Sequence, residues 1–154
     1  MLLASGAQRL LYRYAIAPGA RACVVAANSQ GYEAALDLAA QGITVSTLVD
    51  LRVGADAELK ARVRAARIEV LEGWAPYEAH AGAGGALAAV ALAPVTARPG
   101  ILDVARLRRV QCDALLLSTG WAPALQLAAQ AGARVVFDEA VSYTHLTLPT
   151  NREV

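Results

Sequence analysis

The chain has few of the residues that do chemistry by themselves. Its 154 residues include two cysteines, two histidines, one methionine and one phenylalanine, and aromatic residues make up only 5%. Cys23 and Cys112 have no paired spacing of the metal-binding or redox type, so buried structural thiols are the default reading. His80 has no second histidine, cysteine or carboxylate spaced as a metal shell, and reads as a surface or hairpin residue rather than a ligand or base. Charge of one sign is also missing: the formal net charge is +1, which argues against a polyanion-binding surface and against nucleic acid as a partner. Lys60, Arg62, Arg64 and Arg67 lie along one expected helix and read as a solvated face. The most apolar run, 81–95, is broken by Gly82, Gly84, Gly85 and Pro94, so nothing is long enough to span a bilayer. The amino terminus lacks a basic stretch followed by a hydrophobic run and a cleavage site. The expectation is a soluble, cytoplasmic protein. No carboxylate pair and no nucleophile with its base stands out, so catalysis would have to come from a bound cofactor or from parts of the protein lying elsewhere.

What is present is organised around residues 22–50, ACVVAANSQGYEAALDLAAQGITVSTLVD. This is an apolar strand, a small-residue turn, an alanine-rich helix and a second apolar strand ending in an acid. Residues 22–26 are apolar throughout, as a parallel strand covered on both faces would be. Asn28 or Ser29 can cap the helix, which runs to about Gln41 and is stopped by Gly42. The second strand spans 43–49, and Asp50 follows nineteen positions after Gly31. That is the opening β-α-β unit of a dinucleotide-binding domain, in which a carboxylate about 20 residues on accepts hydrogen bonds from the ribose hydroxyls.

The glycine loop is degenerate. Laid on G-x-G-x-x-G, the turn reads Ala26, Ala27, Asn28, Ser29, Gln30, Gly31, so only the third glycine remains, the one that lets the helix pack closely on the strand. Asn28 puts a side chain where a pyrophosphate would approach, although asparagine tolerates left-handed backbone better than most residues. Asp50 is therefore either a ribose acceptor or a polar residue ending a strand. Gly31 is structural in either case.

The rest of the chain extends the pattern. Leu3, Ala7, Leu10 and Tyr14 fall on one helical face; Pro18 and Gly19 end that segment. A helix over 57–66 and a strand over 68–71 place three strands in one parallel sheet, given right-handed crossovers. Then strands at 74–80 and 87–92, separated by the glycine-rich 81–86, read as a hairpin. Residues 104–110 can be drawn as a third strand of this meander, with a helix as the competing reading. An apolar strand returns at 114–118, followed by a turn of Thr119, Gly120 and Trp121, a helix with Pro123 in its first turn running to about Gln130, and a strand at 134–137. Thr119 and Gly120 could present backbone to a dinucleotide, or simply make a tight turn. Trp74 and Trp121 read as apolar anchors.

The fold class expected is α/β: a Rossmann-like parallel sheet flanked by helices with an inserted antiparallel meander, as in the pyridine-nucleotide domain of flavoproteins built from two dinucleotide folds. In those proteins the turn after the return strand commonly reads A-T-G-x-x-P; here it is S-T-G-W-x-P. LLYRYAIAPG at 10–19, AANSQGYEAALDLAAQGI at 26–43 and CDALLLSTGWAPALQL at 112–127 together resemble the α subunit of heterotetrameric sarcosine oxidase and its relatives, from Met1 to about Ala140. The resemblance implies a parent complex that oxidatively demethylates sarcosine or a related secondary amine. It also implies FAD and FMN in that complex, NAD on the α subunit, and other sarcosine oxidase-type subunits as partners. The chain would be a fragment of that subunit, inactive alone. Its cofactor-binding candidates are Ala26, Asn28, Ser29, Gly31, Asp50, Thr119 and Gly120. A scaffold or subunit-contact module binding no nucleotide is the alternative, and a fragment of another NAD(P)- or FAD-dependent oxidoreductase is the second.

Three regions are expected: a helix and linker over 1–19, a dinucleotide-type domain over 20–140 with its meander at about 74–110, and a tail over 141–154. The tail, VSYTHLTLPTNREV, looks like a translated sequencing-library adapter, which removes Tyr143 and His145 from functional consideration.

Overall fold

The computed structural model describes residues 1–121, 125–138 and 143–147, which fall into two compact units, Met1–Thr119 and Gly120–Val154. The first unit is built in the order β1 (Leu2–Leu3), α1 (Ala4–Tyr14), β2 (Arg21–Ala26), α2 (Gln30–Ala40), β3 (Thr44–Asp50), α3 (Ala57–Ala65), β4 (Glu69–Glu72), β5 (Trp74–Ala81), β6 (Leu87–Pro94), β7 (Arg108–Gln111) and β8 (Ala114–Ser118). The parallel sheet has strand order β1-β8-β2-β3-β4, and β5-β6-β7 form a separate antiparallel sheet. In the second unit α4 (Gln126–Gln130) precedes β9 (Arg134–Asp138) and β10 (Tyr143–Thr147), which pair antiparallel. Pro123 lies outside the described residues.

Burial on both faces explains why β2 and β8 are apolar without alternation. Ala22, Val24 and Ala26 of β2, with Ala114 and Leu116 of β8, join Ala7, Tyr32, Ala35, Leu38 and Val63 of the helices in one cluster. The intervening Cys23, Val25 and Leu115 join Val90, Leu92 and Val110 of the meander in another. Successive side chains point to opposite faces of a strand, so a sheet covered twice requires apolar residues at every position. The meander is thus the second layer, and it stands in place of a helical crossover between β4 and β8.

The chain reversal after α2 follows its glycine. Gly42 adopts φ +81°, and the Ile43 amide donates back to Leu38 O at 3.1 Å, the closure of a helix by a left-handed residue.

Several expectations are corrected. Neither Asn28 nor Ser29 caps α2 through its side chain: Ser29 occupies the N-cap without such a bond, its hydroxyl donating instead to Asp56 Oδ1, while Asn28 Oδ1 accepts from Ser118 Oγ. Tertiary partners outbid the local backbone. The left-handed tolerance of Asn28 is also unused, since the non-glycine residues at positive φ are Ala15, Asp56 and Arg67. The buried stripe of α1 is Ala4 and Ala7, with Leu11 packed alongside; Leu3 and Tyr14 are exposed, because Leu3 is drawn into β1 beside β8. Residues Val104–Arg106 form a 3-10 turn, leaving only Arg108–Gln111 as the third meander strand. Lys60 leaves the solvated face to pair with Glu72 at 2.6 Å, its side chain only 13% exposed. Trp121 is 63% exposed, whereas Trp74 packs on the meander-side cluster.

Candidate functional site

The sheet reverses its order between β2 and β8: from β2 the chain proceeds outward through β3 and β4, and β8 returns on the other side of β2. In open α/β sheets such a switch point, at the carboxyl ends of the strands, is where ligands bind. Here those ends are stitched together. The Ala27 amide donates to Ser118 O at 2.9 Å and the Ser118 hydroxyl donates to Asn28 Oδ1 at 2.7 Å. Gly31 sits against this corner: a Cβ added to it would fall 2.5 Å from the Ala26 methyl, 3.1 Å from the Ala26 Cα and 3.3 Å from the Ser118 Cβ. The third glycine of the degenerate loop is therefore required by contact between helix and strand, as the sequence predicts.

At the end of β3, Asp50 is 1% exposed. Its Oδ2 accepts from the Tyr32 hydroxyl at 2.7 Å and from Arg52 Nη2 at 3.0 Å; its Oδ1 accepts from the Arg52 amide at 2.9 Å and Arg52 Nε at 3.1 Å. An ionised carboxylate has about four acceptor positions, and these bonds take all of them. Arg52 Nη2 also donates to Asp56 Oδ2 at 2.6 Å, and Asp56 Oδ1 accepts from Ser29 at the start of α2. Ser29, Asp56, Arg52, Asp50 and Tyr32 thus form one chain of bonds from the N-terminus of α2 to its first turn. The hydrogen bonds to Asp50 hold the Arg52 guanidinium more firmly protonated than usual. Burial, and then the bond to Asp50, push the Tyr32 phenol up. The Ser29 hydroxyl, followed by Arg52, draws the Asp56 carboxyl down.

A second clasp holds the same loop. Glu72, ending β4, accepts from the Gly54 amide at 3.0 Å and from Lys60 Nζ at 2.6 Å. The Lys60 bond, the largest influence, lowers the Glu72 pKa.

The structure brings Ala26, Asn28, Ser29, Gly31 and Asp50 to one edge of the sheet, with exposed Thr119 following Ser118. Gly120 belongs to the second unit, where it is exposed and adopts φ +154°. Sequence reasoning missed Tyr32, Arg52, Asp56 and Ser118. The D-x-R spacing of Asp50 and Arg52 was a readable signal, because an acid buried at a strand end needs a cation or strong donors beside it. As arranged, these residues do not fit an NAD held in the expected way: the ribose acceptor has no free position, and the Ala26 methyl and Asn28 side chain occupy the turn. His80 lies in β5, and among the described residues no group of three or more histidine, cysteine or carboxylate side chains could hold a metal.

No protein-family model matches the chain. It is 26% identical over 137 residues to sarcosine oxidase subunit alpha of Rhizobium meliloti (strain 1021), an alignment covering 89% of this chain and 12% of that protein. Among solved structures it superposes on a FAD-dependent pyridine nucleotide-disulphide oxidoreductase from Desulfovibrio vulgaris with TM-score 0.62 and 21% identity, covering 88% of this chain and 34% of that one. It also superposes on T. acidophilum thioredoxin reductase with TM-score 0.61 and 12% identity, covering 84% and 41%. The fold is Rossmann-like. This Rossmann-like unit spans about an eighth of the curated relative's length and between a third and two fifths of the solved neighbours.

Proposed function

We propose that this chain is a dinucleotide-fold domain from the α subunit of an amine-oxidising flavoenzyme complex of the sarcosine oxidase type, in which its nucleotide site is degenerate. The observation that carries the reading is the alignment with sarcosine oxidase subunit alpha along 89% of the chain, reinforced by a fold held in common with flavin-dependent oxidoreductases. The parent complex would oxidise a secondary amine at a C–N bond through FAD and FMN, with other subunits supplying the amine site. The lack of any paired cysteine motif disfavours a disulfide-reducing role: Cys23 and Cys112 are both free and buried.

The rival reading, a scaffold that binds no nucleotide, is favoured by the saturated Asp50 carboxylate. The two are compatible if the domain serves the complex as a subunit contact. The deciding experiment is expression of the complete reading frame with its partner subunits, followed by flavin spectroscopy and oxygen uptake with sarcosine and related secondary amines. Amine-dependent oxygen uptake with formaldehyde release is the expected result. A complex that retains no flavin, or that instead reduces disulfides with NADPH, overturns the proposal.

A further inference from the structure

We infer that Arg52 closes the adenosine-ribose subsite of this dinucleotide fold from within, by occupying Asp50 and fastening Asp56 against the start of α2. The inference rests on the dinucleotide reading of the fold and not on the amine chemistry proposed above. In a β-α-β nucleotide unit the acid at the end of the second strand meets the ribose hydroxyls, and an arginine nearby meets a 2′-phosphate where one is present. Both residue types stand here at that strand end, bonded to each other. Of the pair, only the guanidinium reaches solvent: the Arg52 side chain is 34% exposed and the Asp50 side chain 1%. A ribose diol approaching Asp50 meets three donors of Arg52 and the Tyr32 hydroxyl already in place. A 2′-phosphate approaching Arg52 meets a cation already matched by two carboxylates, at 3.0 and 2.6 Å.

The loop between β3 and α3 is held closed at two further points, Asp56 and Gly54. Asp56 accepts from Ser29 Oγ at 2.8 Å, placing a carboxylate beside the N-terminus of α2, where an anionic ligand group would otherwise be favoured. Asp56 takes φ +50° and ψ +52° to do so, a left-handed conformation that a non-glycine residue adopts when its surroundings impose it. Glu72 holds the Gly54 amide and Lys60 from the other side. The arrangement therefore discriminates against NAD and NADP by one device: each needs the partner that the other residue has taken.

The test is a calorimetric titration of the full 154-residue chain with ADP-ribose, NAD and NADP. Wild type is expected to show no saturation below ~1 mM, a weak limit on the affinity scale. Arg52→Ala frees one side of Asp50, and ADP-ribose and NAD should bind about tenfold tighter or better, with no gain for NADP; adding Asp50→Asn should remove that gain. Asp56→Ala leaves Asp50 and Arg52 paired but withdraws one of the guanidinium's two counter-charges, so NADP should gain over NAD. Circular dichroism establishes that each variant is folded, and Asp56→Ala carries the test by itself if Arg52→Ala does not fold. Micromolar saturation of wild type, lost in Asp50→Asn, overturns the inference. So does a folded variant that lacks its predicted gain. Neither result bears on amine-dependent oxygen uptake by the intact complex, so the two proposals fail separately.

Discussion

Gly31 and Tyr32 are neighbours at the start of α2, and each is limited by what lies across from it. A methyl at position 31 would meet the Ala26 Cβ at 2.5 Å and backbone at 3.1 Å, neither of which can move without disturbing β2. Gly31→Ala should therefore cost about 1–3 kcal/mol by overpacking, several degrees of thermal midpoint for a chain of this length. A midpoint within a degree of wild type would mean that the helix shifts freely. Tyr32 is fully buried, and its hydroxyl is one of the donors on Asp50. Tyr32→Phe keeps the ring and removes that donor, a charge-assisted bond worth about 1.5–3 kcal/mol; chemical denaturation of the pair of proteins reads the difference directly. The thiols report on the opposite face. Burial pushes Cys23 up to about 12 and raises Cys112 as well, and the thiolate is the reactive form. Both should resist a thiol reagent at pH 8 in the native protein and react only on unfolding. Stoichiometric reaction of the folded chain would contradict the packing of the meander on the sheet.

At the scale of the element, the ends of strands and helices are held by side chains that come from far along the chain. Asp113, just before β8, accepts from the Ala20 amide at 3.0 Å and the Arg21 amide at 2.9 Å, setting where β2 begins. Glu72 does the same for α3 and its preceding loop through Lys60 and Gly54. Because the folded Glu72 has a lowered pKa, its contribution to stability is fully present above the ordinary value of 4.5 and is lost as pH falls through the folded value. Glu72→Gln should accordingly lower the stability at pH 7, by about 1 kcal/mol or less given the partial exposure of the pair. The gap to wild type should close only as the pH falls from 4.5 through the lowered folded value. A gap that stays constant with pH would show that Glu72 acts through shape and not through charge.

At the scale of the molecule, the two apolar clusters found among the described residues are composed of residues before Thr119, one on each face of the parallel sheet. Gly120–Val154 forms a unit with its own β9 and β10 pairing. The adapter-like stretch 141–154 contains β10, so its removal takes away a five-residue ladder of that unit. We predict that deleting 141–154 leaves the main thermal transition of the chain unchanged. A fall of several degrees, about 1 kcal/mol or more in a chain this size, would show that the tail supports the core of the first unit.

The sequence by itself determined the order of the elements from β2 to β6, the return strand β8 and the two-sided burial of the sheet. The unbroken apolar runs of β2 and β8, the glycine stop at Gly42 and the change from helical to strand spacing after Gly73 are local patterns, and local patterns are what periodicity and turn chemistry encode. It also determined that Gly31 must be glycine, because that requirement is part of the β-α-β corner itself. Only the tertiary structure decided what the polar residues of the corner do. Ser29 and Asn28 each had a local role within reach, as helix cap or turn, and each took a partner distant in sequence, Asp56 and Ser118; Asp50 took three bonds from Arg52, two residues on, and only its fourth from Tyr32 across the corner. A hydrogen bond to a charged or buried partner is stronger than one exchanged with water at a helix end. Which partner is present depends on how β3, α3 and β8 are laid beside α2, and that arrangement exists only once the sheet has formed.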